Sequence, residues 1–320
     1  VNPTLFDLDP EPSFDRASFA ARLRRLAARN IFIGGSSWKY EGWFGQIYTR
    51  SRYMQRGRYS KKLFEQTCLE EYASVFPAVC GDFAFYQFPT ADFWSKLFAQ
   101  VPAGFQFAFK VPEQITCRVF PRHPRYGPQS GLDNELFLDA ELFRESFVRE
   151  LEPYRDRTAL LIFEFGAFAP RAFPSPAEFL DRLDPFLAKL PAGFRYAVEI
   201  RTPEFLVADY FRCLRSHGVA HVYNAWTKMP QLPEQIAIPD SITADFLVTR
   251  ALLKQGRPYE AAVEMFSPYS EIRDPNPFAR QGIREIIEIS KREKRTSFIF
   301  VNNRLEGNAP GTIVSILDDD

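Results

Sequence analysis

An α/β fold, a barrel of eight parallel strands with helical crossovers, is what this sequence predicts. Three observations predict it. Short apolar runs alternate with amphipathic ones, and that alternation argues for parallel strands joined by helices. The strand-like runs are almost continuously apolar, so both faces of each strand are covered. Eight such units fall within 320 residues, the usual size of a closed (β/α)8, or TIM, barrel in a single domain. An open doubly wound sheet is the alternative. No G-x-G-x-x-G or G-x-x-x-x-G-K-[ST] follows a strand, so a nucleotide-cradling loop finds no support.

Residues 1–13, VNPTLFDLDPEPS, are acidic and Pro-rich and read as a loose arm. From Phe14 to Arg29, Phe19, Leu23 and Leu26 recur at helical spacing among arginines, which predicts an extra helix packed on the body. Residues 1–29 are thus set apart from a barrel domain of residues 30–317. IFIGGSS, from Ile31, is the first strand, and KKLFEQTCLEEYASVF, from Lys61, its helix. AVCGDFAFYQF, from Ala78 to Phe88, is the second strand, followed by the helix TADFWSKLFAQV. GFQFAFKV, ending at Val111, is the third, followed by DAELFRESFVRELEPY. TALLIFEFG, from Thr158, is the fourth; its helix starts with Ser175 as N-cap and Pro176 in the first turn. RYAVEIR, ending at Arg201, is the fifth, and its helix closes at Gly218. VAHVYNAW is the sixth strand, ITADFLVTRAL contains the seventh, and SFIFVNN, after the helix PFARQGIREIIEISKRE, is the last.

The chain is 46% hydrophobic with 33 Phe, enough to bury a substantial core. Lys plus Arg equals Asp plus Glu at 40 each, so the overall charge argues for no partner. Four cysteines have no C-x-x-C spacing, which predicts neither a zinc knuckle nor a redox motif, and reduced thiols fit a cytoplasmic protein. No signal-peptide pattern and no run approaching 18 apolar residues is present, so no membrane partner is expected. The three histidines are read as a loop residue (His123), a helix-end cap (His217) and a satisfied core residue (His221). A multi-zinc site has no ligands here, and neither metal nor cofactor is expected.

In such barrels the chemistry sits at the C-terminal ends of the strands. Those ends carry Trp38, Tyr40 and Trp43 after strand one, Asp82 and Tyr86 on strand two, Lys110 on three, Glu164 on four, and Glu199 and Arg201 on five. Strand six adds Asn224 and Trp226, strand seven Asp245 near its start and Arg250 at its end, and strand eight Asn302, Asn303 and Glu306. Ionisable groups inside strands are costly to bury unless paired. Two readings stay open: an ion-pair network that only satisfies the barrel mouth, or a site. In the second, Glu164 or Glu199 moves protons with Lys110 among the catalytic groups, and Lys110, Arg201 and Arg250 bind an anion. Trp38, Tyr40 and Trp43 either pack a loop over the barrel or form a stacking wall.

Charge is also uneven. Between Gly42 and Phe64 there is no acid, while Arg50, Arg52, Arg56, Arg58, Lys61 and Lys62 interleave with Tyr48, Tyr53 and Tyr59. Arg118, Arg122, His123 and Arg125 follow strand three. Such a rim attracts phosphate-bearing ligands, nucleic acid through the loop 50–62 included, unless other loops balance it.

Several segments carry a resemblance: GGSSWKYEGWFGQIY, FAFYQFPT, PAGFQFAFKVPEQIT, YAVEIRTPEF, TADFLVTRAL and VNNRLEGNAP, in that order. Together they resemble the motifs of the YecE-like family, domain of unknown function 72, over Ile31 to Ile316. The resemblance implies a (β/α)8 barrel and no established reaction. This chain departs from the family pattern at Cys80 (a glutamate), Asp82 (an asparagine), Cys117 and Leu252 (histidines) and Glu164 (a glutamine). The expectation is therefore an uncharacterised barrel acting on a small anionic or phosphorylated substrate, as a hydrolase or lyase. The alternatives are a nucleic-acid-binding or nuclease-like barrel and a non-catalytic ligand-binding barrel.

Overall fold

In a computed structural model, which describes residues 14–169 and 171–318, the eight strands close into one parallel barrel. They are β1 (Ile31–Gly35), β2 (Ala78–Gly81), β3 (Gln106–Lys110), β4 (Thr158–Phe165), β5 (Tyr196–Ile200), β6 (Ala220–Ala225), β7 (Phe246–Ala251) and β8 (Thr296–Val301). Each pairs with the next, and β8 closes on β1 through five residue pairs from Ile31↔Ser297 to Gly35↔Val301. The expected barrel is thus the observed one. The arm read into residues 1–13 lies outside the described residues. The extra helix is present as Arg16–Ala27 and buries Phe19, Leu23 and Leu26 beside β1.

Two seams of the ladder are short. β1 and β2 share only Gly34↔Ala78 and Gly35↔Val79, and β5 and β6 only Ala197↔Ala220 and Val198↔His221. Side chains take over there. The Tyr72 hydroxyl, from helix Lys61–Ala73, accepts from the Gly35 N–H at 2.7 Å and donates to the Ala78 carbonyl at 2.9 Å. Gly34 permits this closeness, since a Cβ there would stand 1.9 Å from the Ala78 oxygen. At the other seam the Asn224 amide donates to the Ile200 carbonyl at 3.1 Å, continuing the ladder where the backbone stops.

The packing has two layers. Inside the barrel, small residues (Ala78, Ala108, Ala197, Ala220) make room for Phe246, Phe298 and Phe300. Outside, the helices bury an aromatic-rich shell against the strands. Most crossover helices start on a side-chain cap, as at Ser60, Thr90, Asp139 and Ser175, which satisfies an otherwise unpaired N–H. Pro176 occupies the first turn of Pro176–Leu187, and Gly218, at φ 63°, follows the end of Ala208–Ser216, both as expected. The second strand is shorter than its apolar run suggested: it stops at Gly81, and Phe83–Phe85 turn into a single helical turn that folds over the rim. Asp245 lies exposed before β7, at the opposite end from the mouth. Among the described residues no helix is long and apolar enough to cross a membrane.

Candidate functional site

Strand geometry dictates the site. Side chains alternate along a strand, so every second residue of each strand faces the barrel interior. The inner core includes Cys80, Ala108, Ile162, Ala197, Val222, Val248 and Phe300. Two residues further along, the same faces present Asp82, Lys110, Glu164, Glu199, Asn224, Arg250 and Asn302. The polar layer is the last inward layer of the barrel, and a further step adds Arg201 and Trp226 above it.

Six of these residues form one network. Arg250 Nη1 bonds to Glu164 at 2.6 Å and also to Glu199. Arg201 bonds to Glu164 at 2.8 Å and to Glu199 at 2.9 Å. Lys110 Nζ lies 3.1 Å from Glu164. Asp82 Oδ1 stands 3.5 Å from Arg250 and 3.7 Å from Lys110 and makes no hydrogen bond. Three cations thus meet three carboxylates. Glu199 and Arg250 are fully buried, whereas the Asp82 side chain is 40% exposed and marks the open edge. Arg201 lies over Trp226, 3.8 Å from the ring centroid, and Lys110 sits 3.8 Å over Phe85. Burial works to raise the Glu164 pKa, but Arg201, Lys110 and Arg250 overcome it and hold the carboxyl well below its ordinary range. At neutral pH it is a carboxylate that can accept a proton, not an acid that can give one.

The structure sorts the sequence candidates. It brings Glu164, Glu199, Lys110, Asp82, Arg201, Arg250 and Trp226 together. Tyr40 borders the group: burial first, and the Asp82 charge as well, push its pKa up to about 12 against Arg304. Asn302 faces the same interior and spends its carbonyl oxygen on the Arg304 N–H at 2.9 Å. Tyr86 is exposed on the rim, with Arg125 stacked 4.6 Å away. Trp38 is buried but lines a groove of about 530 Å³ running from Asp82 past Phe83 to Phe93.

Four expected binding residues are used otherwise. Trp43 is fully buried beside Tyr48 and Tyr72, and its indole N–H donates to Asn303 Oδ1 at 3.1 Å. Asn303 faces outward by the same alternation and also takes the Ala309 N–H at 2.7 Å. Glu306 is completely buried on Arg280 (2.7 and 2.8 Å), the Asn276 N–H and the Thr312 hydroxyl, where it anchors the start of helix Pro277–Glu293. Asn224 straps β5 to β6, although its Oδ1 stays buried and unpaired. The sequence reading missed Phe85 and Leu252 as apolar walls, the latter packed near Trp226. Counting inward parity from the core would have found Leu252.

The remaining candidates behave as structural groups. Cys117 donates to the Val119 carbonyl at 3.1 Å, and burial pushes its pKa up to about 12. Cys80 is buried just beneath Asp82 with its pKa likewise raised to about 12, mainly by burial. His221 is a core histidine, as expected, beside the Tyr210 hydroxyl at 3.1 Å. The carboxylates of the mouth already face three cations, so a metal there would have to displace them. A His/Cys/Asp grouping stands elsewhere, at Asp184, Cys213 and His217.

Two basic loops flank this mouth. In the first, Arg56 (φ 52°) and Gly57 (φ 74°) form the tight turn of a hairpin between Met54–Gln55 and Arg58–Tyr59. Arg52, Arg56, Arg58 and Lys62 are exposed on it, but Tyr48 and Tyr53 point inward, Tyr53 donating to Glu71 at 2.8 Å. In the second, Arg118 pairs with Asp133 at 3.0 Å and Arg125 with Glu113 at 3.2 Å.

Residues 32–319 match the family described as Protein of unknown function DUF72. The chain belongs to that family. The UPF0759 protein YecE of Escherichia coli K12 is a relative, 29% identical over 140 residues, which span 43% of this chain and 43% of YecE. Two solved structures share the fold. A DUF72 family protein of Enterococcus faecalis V583 aligns over 90% of this chain and 95% of its own, with a TM-score of 0.59 at 15% identity. A DUF72 family protein of Thermotoga maritima MSB8 aligns over 90% and 98%, with a TM-score of 0.59 at 19% identity. The DUF72 barrel is therefore common ground, and no reaction comes with it.

Proposed function

We propose that this DUF72 barrel is an enzyme acting on a small anionic or phosphorylated compound at the C-terminal mouth. The observation that carries the reading is the position of Asp82. Its Oδ1 is buried at ion-pair range of Arg250 and Lys110 without a hydrogen bond to either, while the rest of the side chain is part-exposed at an edge of the network. A charged group of a substrate entering by that edge would take the place of Asp82 and gain the hydrogen bonds that Asp82 lacks. Arg201, held over Trp226, offers the next donor. A substrate anion that draws Lys110 and Arg201 away from Glu164 would raise that carboxyl toward its usual pKa and make it a competent base, with Glu199 the alternative proton carrier. Hydrolysis or elimination is the chemistry such a base and cation pair supports.

The reading is tested by thermal melting with inorganic phosphate and simple phosphomonoesters at low salt. The wild-type melting temperature should rise with ligand, Asp82→Asn should respond at lower concentration, and Lys110→Met should respond less. No response across phosphate, sulfonate and carboxylate ligands overturns it. Once a turnover assay exists, a Glu199→Gln variant at full rate would remove Glu199 as the proton carrier.

A second reading, nucleic-acid binding, is favoured by the exposed Arg52, Arg56, Arg58 and Lys62 around the hairpin. Base stacking by the hairpin tyrosines has no support, because two of the three face inward. Backbone binding alone would remain, and it would weaken linearly on a log–log plot as salt rises. Failure to retain DNA or RNA at low salt ends this reading.

A further inference from the structure

We infer that Asp184, Cys213 and His217 form a binding site for a thiophilic divalent cation of the zinc class, which clips two outer helices together. The site is independent of the mouth. Cys213 and His217 stand four residues apart at the end of helix Ala208–Ser216, a spacing that places both side chains on one face. Helix Pro176–Leu187 packs alongside and contributes Asp184. Asp184 Oδ1 lies 3.6 Å from Cys213 Sγ and 2.8 Å from His217 Nε2. All three ligand atoms fall within 4.8 Å of one another. Around a tetrahedral zinc, such ligands stand about 3.3–3.8 Å apart, so shifts of about 1 Å would complete the set.

The donor chemistry selects the ion. Thiolate, imidazole and carboxylate together suit zinc-like cations and disfavour calcium and magnesium, which take oxygen. Three protein ligands leave a fourth position for water. Access is open: Asp184 is exposed, and a groove of about 430 Å³ lined by Leu180, Asp181 and Asp209 reaches the site. Metal binding replaces the Cys213 proton, which leaves to solvent, and takes the neutral form of His217.

Location gives the clip its use. Both helices end at the N-terminal face of the barrel, the face that serves stability. Helix Ala208–Ser216 is the crossover between β5 and β6, where the ladder has only two residue pairs. A cation tying that crossover to its neighbour would brace the weak seam.

Cobalt(II) added to the metal-free chain tests the site. The expected result is one equivalent bound with a thiolate-to-cobalt charge-transfer band, lost in Cys213→Ser and kept in Cys117→Ser. Zinc should raise the melting temperature of the wild type and not that of His217→Ala. Melting of both variants without metal checks that they fold, and His217→Gln replaces His217→Ala if the latter does not. Absence of the band in the wild type, its persistence in Cys213→Ser, or binding only at millimolar metal overturns the inference.

Discussion

Glu164 and Glu199 stand side by side, in register on β4 and β5, and a single nitrogen of Arg250 bonds to both. Two buried carboxylates side by side repel each other, and the guanidinium shared between them offsets that repulsion. Arg250→Met should destabilise the chain by about 3–5 kcal/mol, the usual cost of stripping a buried pair of one partner. The sign of its pH dependence is fixed. In the wild type the folded Glu164 pKa is depressed, so its contribution is present above the unfolded value of about 4.3 and lost as pH falls through the folded one. Without Arg250 a proton is welcomed instead, and the gap between variant and wild type should narrow on acidification. Melts of both proteins from neutral pH downward check this; a gap independent of pH means the carboxylates are not coupled through Arg250.

Much of the barrel was legible because its strands are apolar on both faces, and a run such as TALLIFEF has no other stable place. The ionic candidates were legible for the same reason: a Glu or Arg inside such a run stands out. What composition could not show was orientation. Asn302 and Asn303 are adjacent and chemically identical, yet one faces the interior and the other the helical shell, because strand parity is set by the register of β8. Glu306 misled for a further reason. It follows the strand by a turn, and its partner Arg280 lies 26 residues upstream, a contact no local pattern announces. Two tyrosines of the basic loop likewise point inward, because Glu71, from the next helix, takes the Tyr53 hydroxyl and the Trp38 carbonyl takes that of Tyr48.

Glu306 offers a direct separation of architecture from binding. Its carboxylate meets Arg280 through two nitrogens and also takes a backbone N–H at the start of helix Pro277–Glu293, where negative charge suits the helix dipole. Glu306→Ala should cost about 3–5 kcal/mol of stability by leaving Arg280 uncompensated. It should leave the phosphate-induced shift in melting temperature unchanged. Loss of that ligand shift in a folded Glu306→Ala chain would return Glu306 to the binding site.

Trp226 should act only through Arg201. Stacking a guanidinium on an indole contributes about 0.5–2 kcal/mol, and at 3.8 Å this pair is in close contact. Trp226→Leu keeps the apolar wall with Leu252 but frees Arg201 to leave its place. Anion affinity, read from phosphate titrations, should fall by roughly 2–30-fold, the same energy expressed as a binding ratio. An Arg201→Ala background should abolish the effect of Trp226→Leu, and an unchanged effect there would show that the tryptophan contacts the ligand itself.

His221 gives an acid-sensitivity unconnected with the mouth. Burial alone lowers its pKa to about 3, and its ring lies between Tyr210, Phe211 and Tyr223. Unfolding restores a value of about 6.5, so between those limits the unfolded chain binds one proton more than the folded chain. The sign follows: stability is unaffected by this group above about 6.5 and falls as pH drops toward 3, by up to about 1.4 kcal/mol per pH unit. His221→Gln keeps a polar group beside the Tyr210 hydroxyl and cannot titrate. It should start less stable at neutral pH, because the ring contacts are lost, yet lose stability more slowly on acidification, so the two curves converge. Denaturant melts at a series of pH values measure the slopes. Parallel curves would mean that water reaches the imidazole and that it protonates in place.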